Sequence, residues 1–156
     1  MDDASPSTGH DLLPESAPSR WPRPDWLVEL GQDERYRWAI LQWDRYARTP
    51  GAWYDHAKAE YCVENWPKWF SIPTPPYAGA PFVLLPYQAA IVRFIFGWKI
   101  RREIYDVATQ AMQVRHVRLI RRVLLWMSRK GAKTDFLATV AVAAVYCEGV
   151  RGAEGY

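Results

Sequence analysis

Cysteine is nearly absent: Cys62 and Cys147 are the only two, they stand far apart, and they match no metal-ligand spacing. That argues against a disulfide-stapled secreted scaffold and a cysteine-built metal site, and it fits a reducing compartment. Long apolar runs are missing as well. The longest stretch of mainly apolar residues, Phe136 to Cys147, falls well short of the roughly 20 residues needed to cross a bilayer, so no membrane span is expected. Nor do the first residues read as a secretion signal, because Met1 to Pro24 is acidic and polar where a signal is basic and then apolar. A dominant charge of one sign is also lacking. The net charge of +3 does not by itself mark a nucleic-acid binder, although positive charge is dense between Arg115 and Lys133.

What the chain does contain is enough apolar surface to fold. With 156 residues, 49% hydrophobic and 24% charged, it has the make-up of one globular unit with a real core, and it is too short for a two-domain motor. Residues 1–24 are rich in Pro, Ser and Asp and are expected to be a disordered tail, since they bury too little to offset chain entropy. Residues 25–71 read as a helical N-terminal region. Trp26, Leu27 and Leu30 start an apolar face that Gly31 interrupts, and Glu34 to Arg48 carries a stripe of Tyr36, Ile40, Trp43 and Ala47 closed by Thr49-Pro50-Gly51. A further helix is expected from Ala52 to Asn65, before Pro67. Trp38, Trp43, Trp53, Trp66 and Trp69 are read as core rather than as base-stacking platforms, because no basic residues interleave with them at that spacing.

Residues 72–81 hold Pro73, Pro75, Pro76, Gly79 and Pro81 and are expected to form an extended or turning connector. Beyond it, residues 82–156 begin with a helix after Leu85-Pro86, whose buried face is Tyr87, Ala90, Ile91, Phe94 and Ile95 and which Gly97 closes. Arg101 to Gln113 reads as another amphipathic helix. Then the period changes: Arg118 to Met127 contains the run Val123-Leu124-Leu125-Trp126-Met127, which suits a buried parallel strand. Ser128-Arg129-Lys130-Gly131-Ala132-Lys133-Thr134 follows, and then Asp135 to Cys147, apolar all round and expected to be a buried helix.

Strand, short basic loop and helix is the context of a phosphate-binding loop, in which the helix N-terminus offers free N–H groups and a positive dipole end. In that setting Lys133 is placed to reach the β- and γ-phosphates of ATP, and the Thr134 hydroxyl to ligate Mg²⁺. The usual pattern would place glycines at Met127 and Ala132, and both are missing. The methyl of Ala132 weakens the approach to phosphate unless Gly131 absorbs the distortion. The motif alone leaves open a solvated helix start.

Four blocks in order extend the pattern. Ser128 to Thr134 is similar to the atypical Walker A of tailed-phage terminase large subunits, which lacks the first glycine. Phe82 to Gln88 resembles that family's Leu-x-Pro-Trp-Gln segment, Ile95-Phe96-Gly97-Trp98 its Phe-Gly-Trp, and Glu148 to Tyr156 its Gly-Glu-x-Gly-Ala-Glu-Val-Tyr stretch. The resemblance covers residues 82–156, and residues 26–81 fit only loosely. It implies an α/β fold, the start of a P-loop NTPase with an incomplete parallel sheet, preceded by the helical region. It implies ATP and Mg²⁺ as cofactors, with Gln88, Ser128, Arg129, Lys130, Gly131, Ala132, Lys133 and Thr134 around the nucleotide. Gln88 would read the adenine edge through its two-sided amide, and Arg129 would act in cis on the γ-phosphate. Implied partners are double-stranded DNA, the portal protein and the small terminase subunit, with a homo-oligomer in the full-length protein and the cytoplasm of the infected bacterial host as the setting. The basic residues Arg115, Arg118, Arg121 and Arg122 stand either as a DNA or subunit contact or as a solvated edge.

Two other readings remain at this stage: a different P-loop or helicase-like ATPase fragment, and a helical partner- or nucleic-acid-binding module without nucleotide chemistry. The Phe-Gly-Trp and Gly-Ala-Glu blocks favour the terminase reading over the first. Hydrolysis also needs an aspartate for Mg²⁺ and a glutamate for the attacking water after a later strand, and no such pair follows Thr134. This chain alone is therefore expected to be inactive. A Mg²⁺-dependent phosphate-release assay should give no signal above the protein-free blank, and robust turnover would contradict the reading.

Overall fold

The computed structural model describes residues 21–125 and 133–146. Trp21, four residues before the expected start of the helical region, is tied down on both sides. Its indole N–H donates to the Ala52 carbonyl at 3.2 Å, and its own carbonyl accepts from the Trp43 indole at 3.3 Å. Arg23 grips Asp44 with two hydrogen bonds of 3.0 and 2.5 Å. Helix α1 (Asp25–Leu30) follows, then a single 3₁₀ turn (Glu34–Tyr36) and α2 (Arg37–Ala47), which buries Ala39, Trp43 and Ala47 at four-residue steps. Trp43 is the hub. Its ring lies 4.6 Å from Tyr54, 4.9 Å from Trp98 and 6.2 Å from Trp26, mostly edge-on, so one side chain gathers three other elements.

The expected helix from Ala52 starts later and ends later. Gly51, at φ +75°, turns the chain into strand β1 (Ala52–Tyr54), and Asp55 then caps α3 (His56–Trp69) by accepting from the Lys58 N–H at 3.0 Å. The helix passes Pro67 because only its last turn loses a bond there. Trp66 is fully buried, and its carbonyl still receives the Phe70 N–H at 3.0 Å. Residues 72–81 form the expected irregular connector, closed by an antiparallel bridge from Ser71 to Pro81. Helix α4 (Pro86–Gly97) is apolar nearly all round and sits at the centre, covered on one side by the Trp43 cluster and on the other by α3. Arg93 of α4 binds Glu60 of α3 with two 2.8 Å bonds and lies 4.9 Å over the Trp26 ring.

The parallel P-loop sheet is not formed among the described residues. Instead α4 runs directly into β2 (Trp98–Asp106), and β1, β2 and β3 (Ala111–Arg118) make a three-stranded antiparallel sheet in that order. A parallel neighbour needs a crossover of a dozen or more residues. Here β2 and β3 are joined by Val107–Gln110, so they can only be antiparallel. This hairpin replaces the helix expected over Arg101 to Gln113. Asp106 starts the turn by accepting from the Ala108 N–H at 2.9 Å, and Gln110 completes it at φ +51°.

The strand expected over Arg118 to Met127 is likewise absent as far as residue 125. Leu119 gives its N–H to the Trp98 carbonyl at 2.9 Å, and there the template ends, because the next residue back is Gly97 of a helix. Leu119 and Ile120 pack onto the core, whereas Leu124 is 92% exposed. Trp126 and Met127 lie outside the described residues. Helix α5 (Lys133–Tyr146) is present, but it is buried on one side only. Phe136 and Ala143, seven residues apart, enter the α3–α4 cluster, while Leu137, Val142 and Tyr146 face outward.

The junction of α4 and β2 leaves no room for a side chain. A Cβ on Gly97 would fall inside the ring of Tyr54, which is itself buried against Trp43 and Trp98 and has nowhere to go. Gly97→Ala should therefore destabilise the fold by about 1–3 kcal/mol, the usual penalty for overpacking, read as a lower urea midpoint at unchanged slope. An unchanged midpoint would show that the junction is looser than drawn.

Candidate functional site

The residues singled out for nucleotide chemistry divide into three groups. Ser128, Arg129, Lys130, Gly131 and Ala132 lie outside the described residues, so the expected cis arginine and phosphate loop have no geometry to report. Lys133 and Thr134 open α5, a helix of 14 residues. Thr134 is exposed in the first turn, where backbone N–H groups lack helical acceptors and the dipole end is positive. The helix is held in place from its own first turn: Phe136 is fully buried beside Trp66, with ring centroids 6.5 Å apart, and Thr74 of the connector donates to Asp135 at 3.4 Å. A hydroxyl on such an anchored terminus has the chemistry of a Mg²⁺ ligand once phosphate supplies the remaining oxygens.

Gln88 is placed elsewhere and is already in use. It is 2% exposed, and its Oε1 accepts from the Leu85 N–H at 2.9 Å, so it caps the start of α4 with Pro86 at the first helical position. Its neighbour Tyr87 faces the other way, into an open concavity of about 680 Å³ between α2, α4 and residues 120–125. Tyr36, Trp38, Tyr46 and Phe94 line the same hollow, together with Arg45 and Arg122. Partial burial raises the Tyr87 hydroxyl above the ordinary tyrosine range, and Tyr46 is raised for the same reason. Both phenols stay neutral at physiological pH, which leaves the aromatic part of the wall suited to flat rings.

Among the described residues no cluster of three or more His, Cys, Asp or Glu converges as a metal site. No helix there is long and apolar enough to cross a membrane. The basic cluster is only partly the one expected. Arg115 pairs with Asp106 at 2.7 Å and stands directly opposite Arg102, and Arg101 stands opposite His116. Arg101 and Arg102 were not singled out; both are exposed, Arg101 on the side of Glu103 and Tyr105 and Arg102 on the side of the half-buried Ile100, Ile104 and Asp106. No family model, curated protein or solved structure matches this chain.

Because Gln88 carries the cap of α4, Gln88→Ala should cost about 0.5–2 kcal/mol of stability in chemical denaturation, in the range of lost N-caps. A variant as stable as the parent would free Gln88 for a role with a ligand instead.

Proposed function

We propose that this chain is the nucleotide-binding front part of a DNA-packaging motor of the terminase large-subunit kind. Lys133 would take the β- and γ-phosphates of ATP, Thr134 the Mg²⁺ ion, and Arg129 the charge that develops on the γ-phosphate. One observation carries the reading. The basic segment Ser128–Ala132 is followed at once by the start of a long helix at Lys133-Thr134, with Thr134 exposed in the first turn. Anions bind at such termini because the unpaired N–H groups and the dipole act together. The four sequence blocks in family order, from Phe82 to Tyr156, support the same assignment.

This reading does not require a parallel sheet among the described residues. It requires an anchored helix behind a basic loop, and Phe136 supplies the anchor. In the full-length protein the chemistry would be ATP-driven DNA translocation and cleavage of concatemers, in a homo-oligomer working with the portal protein and the small terminase subunit in the cytoplasm of the infected host.

Binding of Mg·ATP, followed by calorimetry, tests the proposal. Lys133→Ala should weaken it by at least about tenfold, the loss of roughly one charge-assisted phosphate contact. Ala132→Gly should strengthen it, since glycine lets the backbone approach phosphate without a methyl in the way. Affinity independent of Lys133 would overturn the nucleotide site, and weaker binding by Ala132→Gly would overturn the alignment of the loop.

A further inference from the structure

The hairpin of β2 and β3 stands out from the rest of the molecule in charge and in exposure. Residues 98–122 hold seven Lys and Arg against two carboxylates, leaving thirteen basic and fifteen acidic residues elsewhere, so this segment more than accounts for the net +3 of the chain. Beyond its base the ribbon buries neither face. Cross-strand pairing sorts the charges onto opposite sides. Arg101 and His116 share one face, with Tyr105 and Met112 further out on it, and Arg102 and Arg115 share the other. Two guanidiniums directly opposite each other repel. Arg115 is paired with Asp106 at 2.7 Å, and no described carboxylate pairs with Arg101, Arg102, Arg121 or Arg122. A ribbon that carries unneutralised positive charge on both faces, without burying apolar surface in return, is suited to an anion that flanks it on both sides.

We propose that this hairpin enters the major groove of B-form duplex DNA tip first, with Arg101 and Arg102 reaching the two phosphate backbones that border the groove. The dimensions agree. A two-stranded ribbon fits a groove about 12 Å wide and about 8.5 Å deep. Arg101 and Arg102 lie four to five residues from the turn, roughly 13–17 Å along the strand at about 3.3 Å per residue, which sets them just above the groove mouth within side-chain reach of the phosphates. Thr109 and Gln110 at the turn, and Tyr105 and Met112 (56% and 60% exposed), would meet base edges. The deep, narrow major groove of A-form RNA has no room for such a ribbon, so duplex RNA is not the ligand. The inference rests on the DNA-handling part of the reading above and is independent of its nucleotide chemistry.

Anisotropy of a fluorescein-labelled 24-base-pair DNA duplex, titrated with the full chain from 50 to 200 mM salt, tests it. Mg·ATP binding is measured on the same preparations. Arg101→Glu/Arg102→Glu should lower DNA affinity at least tenfold and flatten the plot of log affinity against log salt by about 2, at about 0.9 per lost phosphate contact, with Mg·ATP affinity and circular dichroism unchanged. The milder Arg101→Gln/Arg102→Gln pair should flatten the slope equally and serves where the charge reversal misfolds. A matched RNA duplex should bind at least tenfold more weakly than DNA. DNA affinity within twofold of the parent in the variant that folds, equal binding of duplex RNA, or preference for polyglutamate over DNA would each overturn the proposal. Loss of DNA binding with Mg·ATP binding intact isolates the hairpin, whereas Mg·ATP binding that ignores Lys133 defeats the nucleotide reading and leaves the hairpin standing.

Discussion

The peptide between Gly97 and Trp98 is the joint on which the described fold turns. Its carbonyl and the one that follows are bonded to different parts of the chain: the Gly97 carbonyl accepts from the Asp55 N–H at 2.8 Å, and the Trp98 carbonyl, one peptide on, from the Leu119 N–H at 2.9 Å. The first bond fixes β1 and the capped start of α3, and the second ends β3. Because Gly97 carries no side chain, the Tyr54 ring can close over the joint and complete the aromatic cluster around Trp43. Large buried rings in edge contact contribute area and geometry together. The Tyr54 hydroxyl is buried within this cluster, and burial, reinforced by the Glu60 carboxylate, raises it well above the ordinary tyrosine range. It therefore stays neutral, and the ring can act as filler.

From that joint the helix α4 is continued by a strand with no intervening loop, and the direction of β2 aims the hairpin away from the core. The same geometry explains why the segment after β3 does not extend the sheet. Once Leu119 has bonded to Trp98, the neighbouring backbone belongs to a helix whose amides are already committed. Residues 120–125 instead cross the aromatic hollow beside α4.

The helices were legible where an apolar stripe and a local stop signal agreed. Trp43 with Ala47 and Pro50-Gly51, or Leu85-Pro86 with Gly97, bracket α2 and α4 in the sequence much as in the structure. The hairpin was not legible in the same way, because Ile104, Val107, Ala108 and Ala111 also satisfy helical spacing. What decides between the two is tertiary: pairing with β1 and the Asp106 turn, neither of which a periodicity records. The run Val123-Leu124-Leu125 misled for a related reason, since apolar character demands a cover and says nothing about whether a strand edge is there to provide it. Of the site, the helix after the basic segment was legible, and the placement of Gln88 was not. Its amide reads equally as a ligand contact or a cap until Leu85 is seen donating to it.

The sequence motif and the structure meet at one place, the first turn of α5, where a positive helix end, the exposed Thr134 and the anchor Phe136 coincide. Amide NMR spectra of the chain recorded during addition of Mg·ATP address that place residue by residue. Shifts concentrated on the backbone amides of residues 129–135 are expected; saturating Mg·ATP that leaves those amides unmoved, or moves only residues lining the aromatic hollow, would contradict a phosphate site at Lys133-Thr134.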